Sequence, residues 1–241
     1  MLDGKIIRII QYLSILLLLS LPPWFSMIKR FRNRRARRMI WILAFIPYIV
    51  AVTYTQNIVP FFAVLITLYF IKNQGDEGEL YYFRPIREKI PYLIGISIVF
   101  RIAVTIVNGI YVALLMKFGL KPQPQEVMKL FLEKPWLSVI YLSLMTVIAA
   151  PILEEFIFRH IFYRNLAKIN KTFSAIFTSL LFMLLHYNIA GAVSFFMVGV
   201  FNCYLYDKFG YKAAVFNHFL FNLVSVVGLL IMKYHNITLT S

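Results

Sequence analysis

Glu154 and Glu155 stand side by side in AAPILEEFIFRH (residues 149–160), at the end of a long apolar run, and Arg159 follows Glu155 by four residues. His186 closes the run FTSLLFMLLH, with Phe182 four residues before it; His218 lies in VFNHFLFNL, with Asn222 four residues after it. These side chains can do a definite chemistry together. A part-buried glutamate can take a proton from water, and a histidine can hold that water. A second histidine and a carboxamide can donate hydrogen bonds to a developing oxyanion. The sum is hydrolysis of an amide bond without a covalent nucleophile, carried by one of the two glutamates with His186, His218 and Asn222. A second version places a divalent metal such as zinc on His186, His218 and a glutamate, with Glu154 a candidate, and the metal activates the water. The residues leave both versions open.

Adjacent residues on a helix point about 100° apart, so the two glutamates have different jobs. One can pair with Arg159 a helical turn along, and the other can face a cavity. Each feature also has a plainer reading. A single buried histidine often serves structure, a Glu–Arg pair at this spacing is often a clamp, Asn222 can join two helices, and Phe182 can simply pack. These readings weaken jointly, because all the polar groups fall in otherwise apolar segments of the C-terminal half. Other proteolytic chemistries fit poorly. The sequence has no H-E-x-x-H and no G-x-S-x-G, Asp207 has no second intramembrane aspartate, and Cys203 shares its segment with no histidine.

The elements that must position these residues are membrane helices. Of 241 residues 61% are hydrophobic, and the mean hydropathy is +0.75. A soluble domain carries more charge, and apolar runs in lipid must be helical to satisfy their own backbone. The expected fold is all-α, a polytopic bundle of about eight helices. Eight apolar segments can be drawn, at residues 6–28, 39–55, 58–71, 90–116, 136–158, 173–187, 191–206 and 213–232. The first is read as a retained helix kinked at Pro22-Pro23, since no small-residue cleavage site follows it. The second and third are short but fit two crossings better than one. Residues 1–135 are expected to hold about four helices, 136–232 the catalytic core and 233–241 a tail, all within one integrated domain. A single cysteine excludes a disulfide framework.

The formal net charge is +15, and its distribution orients the chain. Seventeen of the 25 Lys and Arg fall in 29–38, 72–89, 159–172 and 207–212; seven fall in 1–8, 117–135 and 233–241. The first set is therefore cytoplasmic. The cluster Lys29–Arg38 reads as a topology anchor touching anionic lipids, not as a nucleic-acid site. Glu154 and Glu155 would then lie within about a turn of the cytoplasmic end of the fifth segment.

Three motifs carry a resemblance. Glu154-Glu155-Phe-Ile-Phe-Arg159 is E-E-x-x-x-R, Phe182-Met-Leu-Leu-His186 is F-x-x-x-H, and His218-Phe-Leu-Phe-Asn222 is H-x-x-x-N. In that order, on successive late helices, they resemble the CPBP (Abi) family, which includes type II CAAX prenyl endopeptidases and bacteriocin-processing or immunity proteins. The resemblance covers residues 136–232. It implies an intramembrane endopeptidase with an eight-helix core and a cavity open toward the cytoplasm. Glu154 would be the general base, His186 a partner in holding the water, His218 and Asn222 the oxyanion donors, and Glu155 and Arg159 supports. Both metallo and metal-free glutamate mechanisms are associated with the family.

The partner implied is a membrane-embedded peptide or protein: a secreted-peptide, pheromone or bacteriocin precursor, or a CAAX-type C-terminus. Short loops in a compact chain suggest a bacterial plasma membrane. Two rival readings remain at this level. One is a non-catalytic membrane binder or self-immunity protein that keeps the motifs for architecture. The other is a proton-coupled transporter, disfavoured because no paired broken helices are evident.

Overall fold

The computed structural model describes residues 4–31, 34–55 and 57–237. Arg32 and Asn33 of the basic cluster, Gln56 and the tail residues 238–241 lie outside the described residues. The described chain is helical, with no strand. Its long helices are α1 (4–29), α2 (Arg34–Thr55), α3 (Ile58–Gln74), α4 (Ile90–Lys117), α5 (Glu126–Glu133), α6 (Trp136–Leu166), α7 (Lys171–Leu184), α8 (Ala192–Phe209) and α9 (Tyr211–Tyr234). All but α5 correspond to the eight apolar segments. Five spans are long and apolar enough to cross a bilayer, and α3 and α7 are apolar but shorter. The chain is a multi-pass integral membrane protein.

The second and third segments are separate helices, broken at Asn57, with Pro60 in the first turn of α3 where its missing N–H is harmless. In α1 the irregularity falls just before the two prolines, as a π-helical stretch over Ile15–Ser20. The amphipathic helix α5 lies inside what reads as a loop. Its Phe131 is buried against Val139 of α6 and Val226 and Leu229 of α9. The Lys233 ammonium donates to the carbonyls of Leu132 and Lys134 at 2.8 and 2.7 Å, which satisfies the C-terminal end of α5.

Helix α6 is the centre of the bundle. Its first half shows a lipid face through Leu137, Ile140 and Leu144, while from Leu153 to His160 only Glu154 is not fully buried. A helix apolar on nearly every side belongs inside a bundle. Leu153, Phe156, Ile157 and Phe158 pack with Leu19 of α1, Val64 and Ile71 of α3, Phe182 of α7, Cys203 of α8 and Ala214 of α9. Helices α7 and α8 approach closely at Gly199, where an added Cβ would stand 2.7 Å from the Ser179 Cβ. Small residues at such crossings are what membrane helices use to pack.

Helix α6 also runs further than the sequence suggests. The run 159–172, with Arg159, His160 and Arg164, reads as a loop, but the helix continues to Leu166. Its polar groups have partners inside the fold. Glu79, on the short helix Glu77–Leu80, takes two hydrogen bonds from the Arg30 guanidinium at the end of α1. The same carboxylate meets His160 Nε2 at 3.1 Å and Arg164 at 3.4 Å. His160 Nδ1 bonds the Tyr206 hydroxyl of α8 at 2.9 Å. One buried acid thus ties α1, α6 and α8 at the basic end. Glu154 consequently lies 12 residues from the helix end, about 18 Å at 1.5 Å per residue, rather than within a turn of it. Glu79→Ala would leave Arg30 and Arg164 without their acid in a largely buried setting. The expected loss is about 3 kcal/mol of stability, read as a lower melting temperature in detergent, with Glu79→Asp retaining most of it.

Candidate active site

The site is built where α6, α7, α8 and α9 meet. Glu155 is fully buried, and the structure decides which glutamate pairs: Glu155 Oε2 meets Arg159 Nε at 3.1 Å. Arg159 also donates to the Gly199 carbonyl at 3.1 Å, and its guanidinium lies 5.0 Å from the Phe182 ring centroid. The bare Cα of Gly199 is therefore needed twice, for close packing and for bringing its carbonyl to Arg159.

The other carboxylate oxygen of Glu155 accepts from His218 Nδ1 at 2.7 Å and from the Asn202 amide at 2.8 Å. Bonding at Nδ1 fixes the ring's orientation. His218 Nε2 is then presented toward Glu154 Oε2, 3.9 Å away. That gap exceeds a direct hydrogen bond but suits a bridging water. Glu154 keeps 14% side-chain exposure, against none for Glu155, and that exposure faces a cavity.

His186 lies just past the end of α7, in a turn before Tyr187, which has φ of 46°. Its Nδ1–H donates to the Phe182 carbonyl at 2.7 Å, so in the neutral ring Nε2 carries the lone pair. The ring stacks on Phe195 at 3.9 Å between centroids and sits against Phe182 at 4.6 Å. Phe182 thus places His186 both by its backbone and by its ring, and holds Arg159 as well.

Asn222 is positioned by an irregularity in α6. Residues Met145–Ala149 are π-helical, and the Ala150 N–H bonds the Met145 carbonyl. The Thr146 carbonyl thereby loses its usual partner, and the next residue, Pro151, has no N–H to offer. The Asn222 amide donates to that carbonyl at 2.8 Å. A buried carbonyl needs such a partner, and filling the need docks α9 on α6 beside the site.

Glu154, His186, His218 and Asn222 all line one cavity of about 570 Å³, within the range of roughly 300–1,000 Å³ for ligand sites. The cavity is lined at its far end by Thr55, Asn57, Ile58, Gln125, Glu126 and Val127. These residues belong to the connections opposite the basic cluster. The resemblance implies an opening toward the cytoplasm, whereas the lining reaches these opposite connections. Packing of the 79–83 segment and the aromatic residues of α6, α8 and α9 closes the basic end.

Among the described residues no three of His, Cys, Asp and Glu are grouped to hold an ion. Both Nδ1 atoms are bonded to protein groups, which leaves Nε2 of His186 and of His218 as the ring atoms on the cavity side.

Sequence reasoning missed Asn202 and Asn217. Both are buried; Asn217 donates to Asn202 Oδ1 at 2.7 Å, and Asn202 in turn to Glu155. The available signal was the same one that marked the other site residues, a carboxamide inside an apolar segment. His160, which sits at the edge of the E-E-x-x-x-R motif, belongs to the Glu79 network instead. Asn202→Ala removes one donor to Glu155 and strands the Asn217 amide. Cleavage should lose kcat about tenfold, worth about 1.4 kcal/mol, with KM little changed. Asn202→Asp with unchanged turnover would contradict the role, since it replaces a donor by an acceptor.

No curated protein and no solved structure matches the chain. Residues 135–224 match the family model described as type II CAAX prenyl endopeptidase Rce1-like. That window contains Glu154, Glu155, Arg159, Phe182, His186, His218 and Asn222, while residues 1–134 lie outside it. The matched stretch of α6 to α9, the part that builds the cavity, is thus similar to a family of membrane endopeptidases.

Proposed function

We propose that the protein is an intramembrane endopeptidase that cuts a membrane-associated peptide with water activated by Glu154. The observation that carries this reading is the convergence of Glu154, His186, His218 and Asn222 on one cavity, with Glu155 orienting His218 from behind. Glu154 takes a proton from a water held with His186 Nε2 as acceptor. The resulting hydroxide oxygen bonds to the peptide carbonyl carbon. The charge that develops on the carbonyl oxygen is met by the second N–H of the Asn222 amide and by the Nε2–H of a doubly protonated His218, whose Nδ1–H stays donated to Glu155. Collapse breaks the C–N bond, and the leaving amine receives the proton that Glu154 took. Fixed donors aimed at the developing charge supply much of the rate in such sites.

The mechanism routes no step through a metal, and a chelator is expected to leave the rate unchanged. The substrate is read as a precursor of a secreted peptide rather than a soluble protein, and the basic end as a surface that contacts anionic lipid. The test is cleavage of a membrane peptide by purified protein in proteoliposomes, with Glu154→Gln, His186→Ala and His218→Ala beside the wild type. His218→Ala should cost about 10²-fold. Unchanged cleavage in all three variants, each folded, would end this reading and favour a non-catalytic binder.

A further inference from the structure

We propose that the substrate enters from the non-cytoplasmic face of the membrane, as a peptide segment presented on that side. The proposal deepens the protease reading and rests on it for the word substrate; the side of access stands on geometry alone.

Three observations place the opening. First, the cavity that holds Glu154, His186 and His218 extends to Asn57, Gln125 and Glu126. These lie in the α2–α3 connection and at the start of α5, opposite the basic loops. Second, the route to the basic end is filled. Below Glu154, Phe156, His160 and Arg159 are buried, and Phe83 packs on both His160 and Tyr211. Tyr82 stacks on Tyr206, and the Tyr211 hydroxyl donates to the Ile152 carbonyl at 2.7 Å. The Glu79 network seals the same floor with ion pairs. The grooves that do open at the basic end, one beside Tyr163 and Lys171 and one beside Ile86 and Phe216, have neither Glu154 nor a site histidine in their walls.

Third, charge assigns the two ends. The basic end holds 29–38, 72–89, 159–172 and 207–212, with seventeen of the 25 Lys and Arg. The structure gathers these loops: Arg30 meets Glu79, Arg84 donates to the Lys208 carbonyl, and Lys171 meets Asp207. At the other end Asn188 donates to the Gln123 carbonyl and Lys233 to those of Leu132 and Lys134. Short loops rich in Lys and Arg stay cytoplasmic, so the cavity mouth faces away from the cytoplasm. Its walls suit an extended apolar peptide: Leu142, Met145, Val198 and Phe221 give apolar contact, and the polar mouth offers partners to a peptide backbone.

Labelling with a membrane-impermeant maleimide tests the side without needing cleavage. The sole native cysteine, Cys203, is buried, and the wild-type chain gives the background. Ala150→Cys reports the cavity, Leu120→Cys the end bearing the mouth, and Ile169→Cys the basic end; Leu120 and Ile169 are exposed. In right-side-out vesicles Ala150→Cys and Leu120→Cys should both label, and Ile169→Cys should label only after the membrane is opened. Met145→Cys, on the cavity wall, serves as a second reporter if Ala150→Cys does not fold. Labelling of the cavity from the Ile169 side, from both sides or from neither would overturn the proposal. In parallel, an impermeant fluorogenic peptide supplied to one face at a time should be cut only from the Leu120 face. Cutting only from the Ile169 face would overturn the proposal. Absence of cutting from both faces would contradict the protease reading, while labelling would still decide the side of access.

Discussion

Glu154→Gln is expected to lower kcat for peptide cleavage by about 10³-fold, within the 10²–10⁴ range for loss of a general base. The amide keeps the shape of the side chain but cannot take a proton from water. Among the described residues Glu154 makes no close hydrogen bond, and its charged partner there is His218 Nε2 at 3.9 Å. Thermal stability should therefore hold or rise slightly, since a partly buried acid becomes neutral. The two readouts together separate Glu154 from its neighbour. A variant that melted several degrees lower with modest loss of kcat would assign Glu154 to structure instead.

The reverse pattern is expected at Arg159. Arg159→Ala leaves Glu155 fully buried without its cation, and breaking such a pair costs about 3–5 kcal/mol. It also frees the Gly199 carbonyl and empties the space beside Phe182. Activity should vanish with the folded population. Arg159→Lys should restore only part, because an ammonium cannot reach Glu155 and Gly199 in the same planar arrangement. The double variant Glu155→Gln, Arg159→Met should be more stable than Arg159→Ala alone, because no unpaired charge remains. It should still cleave poorly, since His218 loses its carboxylate. Thermal melting and initial rates of wild type, Glu155→Gln, Arg159→Met and the double variant form the required cycle. Equal stability of Arg159→Ala and wild type would contradict the assigned pairing.

Much of this site was legible in the chain because intramembrane polar groups are expensive and therefore few. Glu154, Glu155, His186, His218 and Asn222 stand out against apolar neighbours, and helical spacing alone pairs Glu155 with Arg159. The eight apolar helical segments were legible for a similar reason, including the break at Asn57 between two short ones. The amphipathic α5 was not, because its eight residues pack on α6 and α9 rather than crossing anything. The length of α6 was hidden too. His160 and Arg164 look like a loop until Glu79, distant in sequence, is brought beside them.

The link between Asn222 and Thr146 could not be read from spacing. It depends on a π-helical stretch whose exposed carbonyl results from Pro151, and only the fold shows that the carbonyl faces α9. The direction of the cavity mouth was likewise beyond the sequence. Charge counting orients the loops, but which end stays open depends on how Tyr82, Phe83, Tyr206 and Tyr211 fill the other one. Asn202 and Asn217 needed only the rule already applied to their neighbours, that a carboxamide within an apolar helix has a partner.

Hydrolysis of a reconstituted membrane peptide in ¹⁸O-enriched water, with hydroxylamine present, tests the chemistry at the centre most directly. Direct attack by the water at Glu154 predicts a new C-terminal carboxylate carrying one solvent oxygen and no hydroxamate at any hydroxylamine concentration. A hydroxamate product would reveal an acyl-enzyme on a side chain of this protein and would contradict the account.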